Sequence, residues 1–461
     1  MPAQTVFAKE ALTPEGWQQD VLVTIGTDGF IQDVKVGSVP AGKLSTTKTV
    51  STLLPAPVNL HSHAFQRAMA GMSERRGPQN RDTFWTWRQI MFRFLDALTP
   101  DDVETIAAFV QMEMLEAGYA AVGEFHYVHH QPSGEPYANL GELSERIAAA
   151  SATTGIGLTL LPVLYTQGGC DGRPLSAGQI RFGNDPERFF KLHEMARKTV
   201  DLLADDCITG VAPHSLRAVT REGLAACIGL ASDKPIHMHL AEQVEEVTEI
   251  EAAYGQRPVD WLLNQQAINE RWCLIHCTQM THSETLALAE TGAVAGLCPI
   301  TESSLGDGIF DGLNYLNAGG RFGLGSDSNI RISLSEELRT FEYSQRLRDK
   351  CRASVATPEK STGRVLFENA VLGGAQAGGR KSGAIAPGYR ADLMALDGNA
   401  LDLDGCSGDE TLDTWIFAGD DRMVADVWSA GRYLVEGGRH RNADAIRNRY
   451  RSTMQALRDR L

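Results

Sequence analysis

The chain has 461 residues, of which 43% are hydrophobic and 22% are charged. This balance excludes a disordered, collagen-like or coiled-coil polypeptide, and it predicts either one large domain with a smaller companion or two medium domains. The 43 basic and 58 acidic residues give a net charge of −15, which opposes non-specific binding to nucleic acid or to an anionic membrane. A polyanionic partner is therefore not expected, and an anionic ligand would need local arginines to attract it.

The N-terminal segment and the cysteines indicate the compartment. No stretch approaches the roughly 18 apolar residues of a membrane span, and residues 1–20 lack the basic and then apolar pattern of a secretory signal. The eight cysteines are spread along the chain, so we expect reduced thiols and a cytoplasmic protein. Cys273 and Cys277 flank His276, but their segment reads as a buried strand, in which cysteine acts as a small hydrophobic residue and not as a metal ligand.

Short apolar runs alternate with longer segments of helical periodicity through the middle of the chain. Eight runs are predicted as strands: residues 52–60, 119–125, 156–165, 207–213, 235–240, 272–277, 292–299 and 321–326. Between them lie segments whose apolar residues recur at three and four positions, such as 101–118, 184–206 and 281–290. Eight strand–helix units closed on themselves predict an α/β fold, a TIM-like (β/α)8 barrel over residues 55–375.

Both ends of the chain have a different pattern. Residues 1–54 alternate apolar and polar positions around an Asp28-Gly29 turn that is typical of a hairpin. In the tail, residues 390–397, 413–419 and 423–438 are also strand-like. We predict one small β-sandwich domain built from residues 1–54 and 376–461, with a terminal helix that Asn442 caps.

Polar residues gather where the predicted barrel strands end, which is the catalytic face of this fold. The strand ends carry six of them: His61, His63, His214, His239, His276 and Asp327. Residues at i and i+2 of an extended segment point the same way, so His61 and His63 can reach one ion. Together with His239 and Asp327 they form a set of three histidines and one carboxylate, which suits Zn²⁺ or another borderline divalent metal.

Each of these residues taken alone fits a buried structural role equally well, and only their joint placement favours a metal site. His237 tests the assignment, because it shares a strand face with His239. Glu242 follows His239 by three residues at the strand end, where its carboxylate could turn back over the metal. We therefore predict His239 as the ligand and His237 as a supporting or packing residue.

The motifs HSH, HLAE, IHC and GSDS at these intervals resemble the amidohydrolase superfamily of metal-dependent barrels, specifically its mononuclear deaminase branch. The segments NLHSHAFQRAMAGMSERR and RDTFWTWRQIMF are similar to the branch members that deiminate N-formimino-L-glutamate in bacterial histidine breakdown. The resemblance covers nearly the whole chain. It implies a hydrolase that acts on a C–N bond of this small linear amidine and releases N-formyl-L-glutamate and ammonia.

The resemblance also implies a role for each site residue. One divalent metal, most simply Zn²⁺, would be held by four ligands: His61, His63, His239 and Asp327. Such a metal lowers the pKa of a bound water, while Glu242 would carry its proton to the leaving nitrogen, assisted by Asp327, and His276 would hydrogen-bond the developing charge. Two-metal members carry a carboxylated lysine at the end of the fourth strand. Residues 208–217 contain no lysine, so one metal is expected.

A glutamate derivative has two carboxylates, which an arginine fork binds better than a lysine ammonium does. The resemblance places five residues around the substrate: Gln66, Arg88, Tyr127, His214 and Arg217. Arg88 fits a solvated helix charge equally well, and Arg81 is an alternative to it. The glycine-rich loop 168–182 follows the third strand, where a mobile cover would sit, although a plain surface loop also fits.

Two other functions stay open at this point. A ring deaminase of the same branch, acting on a purine, pterin or triazine, would need stacking aromatic residues, and Trp85 and Trp87 leave room for it. A catalytically silent barrel that serves as an assembly scaffold would usually have lost metal ligands, whereas this chain keeps all of them. The resemblance also favours a homodimer.

Overall fold

The computed structural model describes residues 3–38, 47–75 and 82–461. The strands in this part of the chain are β1 (Gln4–Thr13), β2 (Gly16–Ile25), β3 (Ile31–Lys35), β4 (Thr47–Pro55), β5 (Val58–Ser62), β6 (Ala121–His126), β7 (Gly157–Leu164), β8 (Ile208–Thr209), β9 (Ala212–Pro213), β10 (Ile236–Leu240), β11 (Trp272–His276), β12 (Val294–Leu297), β13 (Arg321–Leu324), β14 (Leu393–Leu396), β15 (Val424–Ser429), β16 (Arg432–Glu436) and β17 (Arg439–His440).

The α-helices in the same ranges are α1 (Phe84–Asp96), α2 (Pro100–Glu116), α3 (Glu142–Thr154), α4 (Pro186–Val200), α5 (Arg221–Leu230), α6 (Val244–Tyr254), α7 (Pro258–Gln265), α8 (His282–Ala289), α9 (Pro299–Leu305), α10 (Gly312–Asn317), α11 (Leu334–Asp349), α12 (Thr362–Ala377), α13 (Asp409–Phe417) and α14 (Ala443–Arg458). Short 3-10 helices span Ala64–Met69, Leu401–Leu403 and Asp421–Met423. Among the described helices, none combines the length and apolar character needed to cross a bilayer.

Strands β5 to β13 form the predicted barrel. One parallel sheet runs from β5 through β6 and β7 to β8, with β9 also on β7, and a second runs from β10 to β13. Parallel bridges join the two sheets at both seams, from Val211 to Ile236 and from Ser62 to Asp327. The fourth barrel strand is interrupted into β8 and β9, so the closed barrel has eight strand positions, which confirms the predicted fold.

The barrel strands form from the predicted apolar runs because both of their faces are covered. Every residue of β6, β7, β10 and β11 is buried, and strands that meet no water on either face read as continuous apolar segments. The first run is the exception. Residues 52–60 are divided between β4 and β5, and Pro57 between them has no N–H to donate to a ladder.

The predicted helical segments contain α2, α4 and α8, and local signals set where two of these helices begin. In α2 the Thr99 hydroxyl accepts from the Asp102 N–H at 3.3 Å, and the Asp102 carboxylate accepts from the Thr99 N–H at 2.9 Å. Thr281 and Glu284 form the same capping box at α8. Each box satisfies N–H groups that a helix start leaves without partners.

Both ends of the chain meet in one eight-stranded sheet of order β17-β16-β15-β14-β4-β1-β2-β3. The sheet has its own apolar core, which includes Val23, Leu53 and Trp428. Gly29 at the predicted turn between β2 and β3 has a φ of 78°, a conformation that glycine adopts without strain. The prediction that both termini build one small β domain is confirmed.

One local prediction for the tail is wrong, and a second is correct only in part. Residues 413–419 begin inside helix α13 and do not form a strand, because Leu412, Trp415 and Ile416 are buried at helical spacing. The terminal helix α14 exists and Asn442 occupies its N-cap position, but the Asn442 side chain makes no capping hydrogen bond. Its side chain donates to the Thr153 carbonyl at 3.0 Å instead.

A buried ion network joins the small domain to the barrel. Arg380 donates to Asp206 Oδ2 at 2.8 Å, beside β8, and to Asp392 Oδ1 at 2.8 Å, beside β14. We expect Arg380→Met to lower the free energy of unfolding by about 3–5 kcal/mol, because two buried carboxylates each lose an ion pair and only Asp206 keeps a second one, to Arg432. Urea denaturation measures the change. Arg422→Met is the control, with an expected effect below about 1 kcal/mol, because the Arg422 side chain is 91% exposed. Equal losses in the two variants would contradict the role of the network.

Candidate active site

The four predicted metal ligands meet at the C-terminal ends of three barrel strands. His61 lies in β5 and His63 just after it, His239 lies in β10, and Asp327 follows β13. Their ligand atoms all lie within 4.8 Å of one another, and all four residues are buried. The structure therefore brings together the whole set that the sequence predicts.

The spacing of the ligand atoms fits one small cation. The closest approaches are 3.1 Å between the Nε2 atoms of His61 and His239, and 3.2 Å between His63 Nε2 and Asp327 Oδ1. Ligand atoms about 2.0–2.2 Å from a tetrahedral zinc ion lie roughly 3.3 Å apart. The two closest pairs match this spacing, and all the ligand atoms lie within 4.8 Å of one another.

The outer nitrogens of two of the histidines show which atoms face the centre. His63 Nδ1 lies 2.9 Å from the Phe125 carbonyl oxygen, and His239 Nδ1 lies 3.2 Å from that of His214. A carbonyl only accepts, so each Nδ1 carries the proton and each Nε2 presents a lone pair to the cluster. Burial lowers the pKa of His61 to about 3, so this ring is neutral as well. Lone pairs that converge with the Asp327 carboxylate fit a cation between them.

Buried hydrogen bonds hold the two strand ends that carry the ligands. The Asn59 side chain donates to Ser326 Oγ at 2.7 Å and accepts from the Ser326 N–H at 3.1 Å. Asn329 accepts from Ser326 Oγ at 2.6 Å and donates to Ser62 Oγ at 3.2 Å. Sequence analysis assigned these residues no role. Their only signal is that polar residues stand inside otherwise apolar strand ends.

The backbone is strained where it places site residues. Ala241, His276 and Asp327 have φ values of 52°, 75° and 44°, a region that costs a residue with a Cβ roughly 1–3 kcal/mol and is common at functional sites. Gly325 permits a close approach between its own backbone and His61, because an added Cβ would lie 2.6 Å from the Cβ of His61. A residue larger than glycine at position 325 would collide with His61, so β13 and β5 could not lie this close together.

Glu242, which follows β10, and His276, the last residue of β11, also face the cluster. His276 Nε2 lies 3.9 Å from Glu242 Oε1 and 3.8 Å from Asp327 Oδ2, and its Nδ1 lies 3.2 Å from Glu302 Oε1. Burial alone would lower the pKa of His276, but the carboxylates of Glu242, Glu302 and Asp327 outweigh it and raise the pKa to about 10. His276 can therefore donate an N–H toward the cluster.

Glu246, a residue that sequence analysis did not single out, supports the turn after β10. Its Oε1 accepts from the Ala241 N–H at 3.1 Å and its Oε2 from the Glu242 N–H at 3.0 Å. The same Oε2 lies 4.0 Å from Arg217 Nε. One buried carboxylate thus connects the backbone of Glu242 to a predicted substrate residue.

A cavity opens onto the cluster. Its lining includes all five predicted substrate residues: Gln66, Arg88, Tyr127, His214 and Arg217. The guanidinium carbons of Arg88 and Arg217 lie 5.7 Å and 5.5 Å from the Trp85 ring centre, so Trp85 packs against both. Two guanidinium groups therefore share one cavity with the predicted metal ligands.

Several other predicted features also find their places. His237 Nε2 bonds the Ala377 carbonyl at 2.8 Å and is outside the ligand cluster, and Cys273 and Cys277 are buried in the barrel. Arg81 lies outside the described residues. The loop 168–182 is not a mobile cover along its whole length, because Gln179, Arg181 and Phe182 are buried at its end.

The comparisons with known proteins agree with this geometry. Residues 52–434 match the family model described as "Amidohydrolase family", and residues 3–43 match "Formimidoylglutamate deiminase HutF, N-terminal domain". The chain is 46% identical over 437 residues to formimidoylglutamate deiminase of Pseudomonas aeruginosa. The matched region covers 94% of this chain and 95% of that protein.

Solved structures show the same fold over the whole chain. An amidohydrolase from Brucella melitensis is 47% identical with a TM-score of 0.94, over 98% of this chain and 99% of that one. An adenosine deaminase from Xanthomonas campestris with bound zinc has a TM-score of 0.81 at 22% identity, over 99% and 98% of the two chains, and this likeness shows the fold alone. The chain therefore belongs to the amidohydrolase family, the assignment that its histidine and aspartate motifs predict.

Proposed function

We propose that the chain hydrolyses N-formimino-L-glutamate to N-formyl-L-glutamate and ammonia, a step of histidine degradation. The observation that carries the choice of substrate is the pair Arg88 and Arg217, which lines one cavity with the ligand cluster. Guanidinium groups bind carboxylates through charge-assisted hydrogen bonds, and this substrate has two carboxylates and a reactive C=N bond. The 46% identity to the Pseudomonas deiminase supports the same reaction.

Protein side chains divide the proton transfers of this reaction. A divalent metal held by the four ligands, one per subunit and most simply zinc, would lower the pKa of a water molecule so that it can lose a proton near neutral pH. Glu242 accepts the proton of that water as the new C–O bond forms at the formimino carbon, and Asp327 assists it. The same carboxyl group delivers that proton to the imine nitrogen, and the second proton, from the hydroxyl group on the tetrahedral carbon, then passes to the amine, so that the C=O bond forms, the C–N bond breaks and ammonia leaves. His276 donates an N–H to the charge that develops at the centre.

Gln66, Tyr127 and His214 complete the proposed substrate contacts. Gln66 Nε2 donates to the Tyr127 hydroxyl at 2.8 Å, while the buried Gln66 Oε1 has no partner among the described residues. This oxygen is available to accept an N–H of the formimino group. Burial, reinforced by Arg217 and Arg88, holds the pKa of His214 well below its ordinary value, so this ring is neutral beside the two arginines.

The second candidate is a ring deaminase of the same family. Phe84, Trp87 and Phe182 line the cavity and would allow a flat ring to stack. A neutral ring would give Arg88 and Arg217 no carboxylate to bind, at a cost in binding free energy. The dicarboxylate is therefore favoured. The intact ligand cluster is an argument against a silent scaffold.

The remaining proposals concern organisation. We propose that residues 55–375 form the catalytic barrel and that residues 1–54 and 376–461 form its companion domain. The course of the chain from β4 in one sheet to β5 in the other supports this boundary. A cytoplasmic location and a homodimer complete the proposal.

Ammonia release from N-formimino-L-glutamate by purified protein of known metal content tests the proposed function. We expect Arg217→Met to lower kcat/KM at least about 30-fold, because truncating a buried charge partner costs about 2 kcal/mol or more. Arg221→Met, at the exposed first position of α5, is the control and should stay near wild type. Preference for a purine, pterin or triazine would overturn the dicarboxylate assignment, and no turnover at all by metal-loaded protein would favour the scaffold.

A further inference from the structure

Tyr165 is a cavity residue that the mechanism above does not use. It follows β7, is only 2% exposed, and lines the cavity beside Arg88 and His214. Its ring centre lies 4.6 Å from that of His214. The hydroxyl therefore lies among the residues that contact the substrate in the proposed function.

Two donors occupy the oxygen of this hydroxyl. Arg88 Nη2 lies 2.8 Å from Tyr165 Oη, and Gln179 Nε2 lies 2.8 Å from the same atom. A guanidinium group has no acceptor atom, so the proton in the Arg88 contact belongs to the arginine. Tyr165 cannot donate in that direction.

The Gln179 amide is equally constrained. Its Oε1 accepts from the Ser176 N–H at 2.9 Å and from Ser176 Oγ at 2.8 Å. A backbone N–H only donates, so the amide oxygen must face Ser176 and the amide nitrogen must face Tyr165. The hydroxyl proton of Tyr165 cannot point toward Gln179 either.

The described part of the chain provides no other hydrogen-bond partner for this hydroxyl. Two donors on its oxygen also polarise the O–H group and strengthen it as a donor. We propose that Tyr165 is a specificity-determining residue whose O–H donates to the substrate carboxylate that Arg88 binds. Loop 168–182 sets the direction of this donor through Gln179 and is not a lid at that point. This inference rests on the proposed function, since it requires a carboxylate in the cavity.

Tyr165→Phe tests the hydroxyl while it keeps the ring. We expect KM for N-formimino-L-glutamate to rise about 10- to 100-fold, as for a lost hydrogen bond to a charged group, with kcat within about three-fold. Tyr137→Phe is the matched control, because its hydroxyl contacts the same loop through Arg181 at 3.5 Å without lining the cavity. An unchanged KM in Tyr165→Phe would overturn the proposal.

A double-mutant cycle with Gln179→Leu tests whether Gln179 in loop 168–182 orients the Tyr165 hydroxyl. Alone, this variant should raise KM about 3- to 10-fold, and in the Tyr165→Phe background it should have little further effect. An equal effect in both backgrounds would overturn the positioning role. Thermal unfolding of each variant checks that the fold is intact.

Calorimetric binding of N-formyl-L-glutamate to the metal-loaded protein separates this proposal from the proposed reaction. Binding that weakens about 10-fold or more in Tyr165→Phe supports the donor even if wild-type protein shows no turnover, in which case the proposed reaction alone fails. Turnover by the wild type with unchanged binding and KM in the variant overturns the donor alone. Absence of both turnover and binding in the wild type contradicts both.

Discussion

Replacement of Glu242 with glutamine is expected to lower kcat for ammonia release by about 10²–10⁴-fold. The Glu242 carboxylate is buried and lies 3.9 Å from His276 Nε2 at the edge of the ligand cluster. A glutamine amide has nearly the same shape but cannot take a proton from water and return it to the leaving nitrogen. Steady-state ammonia release, with metal content measured on the same samples, gives the result.

Glu245→Gln is the matched control for this variant. It makes the same chemical change three residues after Glu242, at an exposed position in the first turn of α6. Its kcat should stay within about two-fold of wild type. Full activity of Glu242→Gln would show that another group moves the proton. Loss of metal from Glu242→Gln would assign its effect to the metal site instead.

Removal of the metal is the second large effect that we expect. Dialysis against a chelator should lower ammonia release at least about 10³-fold, and added zinc should restore it, because the water must be acidified before it attacks. The midpoint of thermal unfolding should fall in parallel. A ligand that binds only the folded state at 1,000 times its Kd stabilises that state by about 4 kcal/mol. Apo protein with full activity would contradict the metal centre.

A pair of histidine variants examines the same centre without a chelator. His239→Gln should lose bound metal, since His239 Nε2 lies 3.1 Å from His61 Nε2 in the cluster. His237→Gln should keep it, because His237 lies on the same strand but bonds the Ala377 carbonyl at the end of α12, outside the cluster. Metal analysis of the purified variants measures the difference. The reverse pattern would show that His237, and not His239, is the metal ligand on this strand.

The sequence by itself determined the barrel and the identity of the clustered residues, because both depend on local signals. Buried parallel strands read as apolar runs, and His61, His63, His239 and Asp327 stand at the ends of such runs. Once eight runs are closed into a barrel, their ends must meet on one face. Local patterns failed at α13, because a short apolar run suits a strand or a helix equally well.

Only the tertiary structure decided which groups hold these residues in position. Asn59 and Ser326 are 267 residues apart in sequence, and Glu246 joins a turn after β10 to Arg217 after β9. The orientation of the Tyr165 hydroxyl likewise depends on Gln179 in a loop that carries no motif. Such contacts arise from the close approach of chain segments, and the direction of each hydrogen bond depends on which neighbouring atoms can only donate or only accept. No periodicity or spacing along the chain encodes that information.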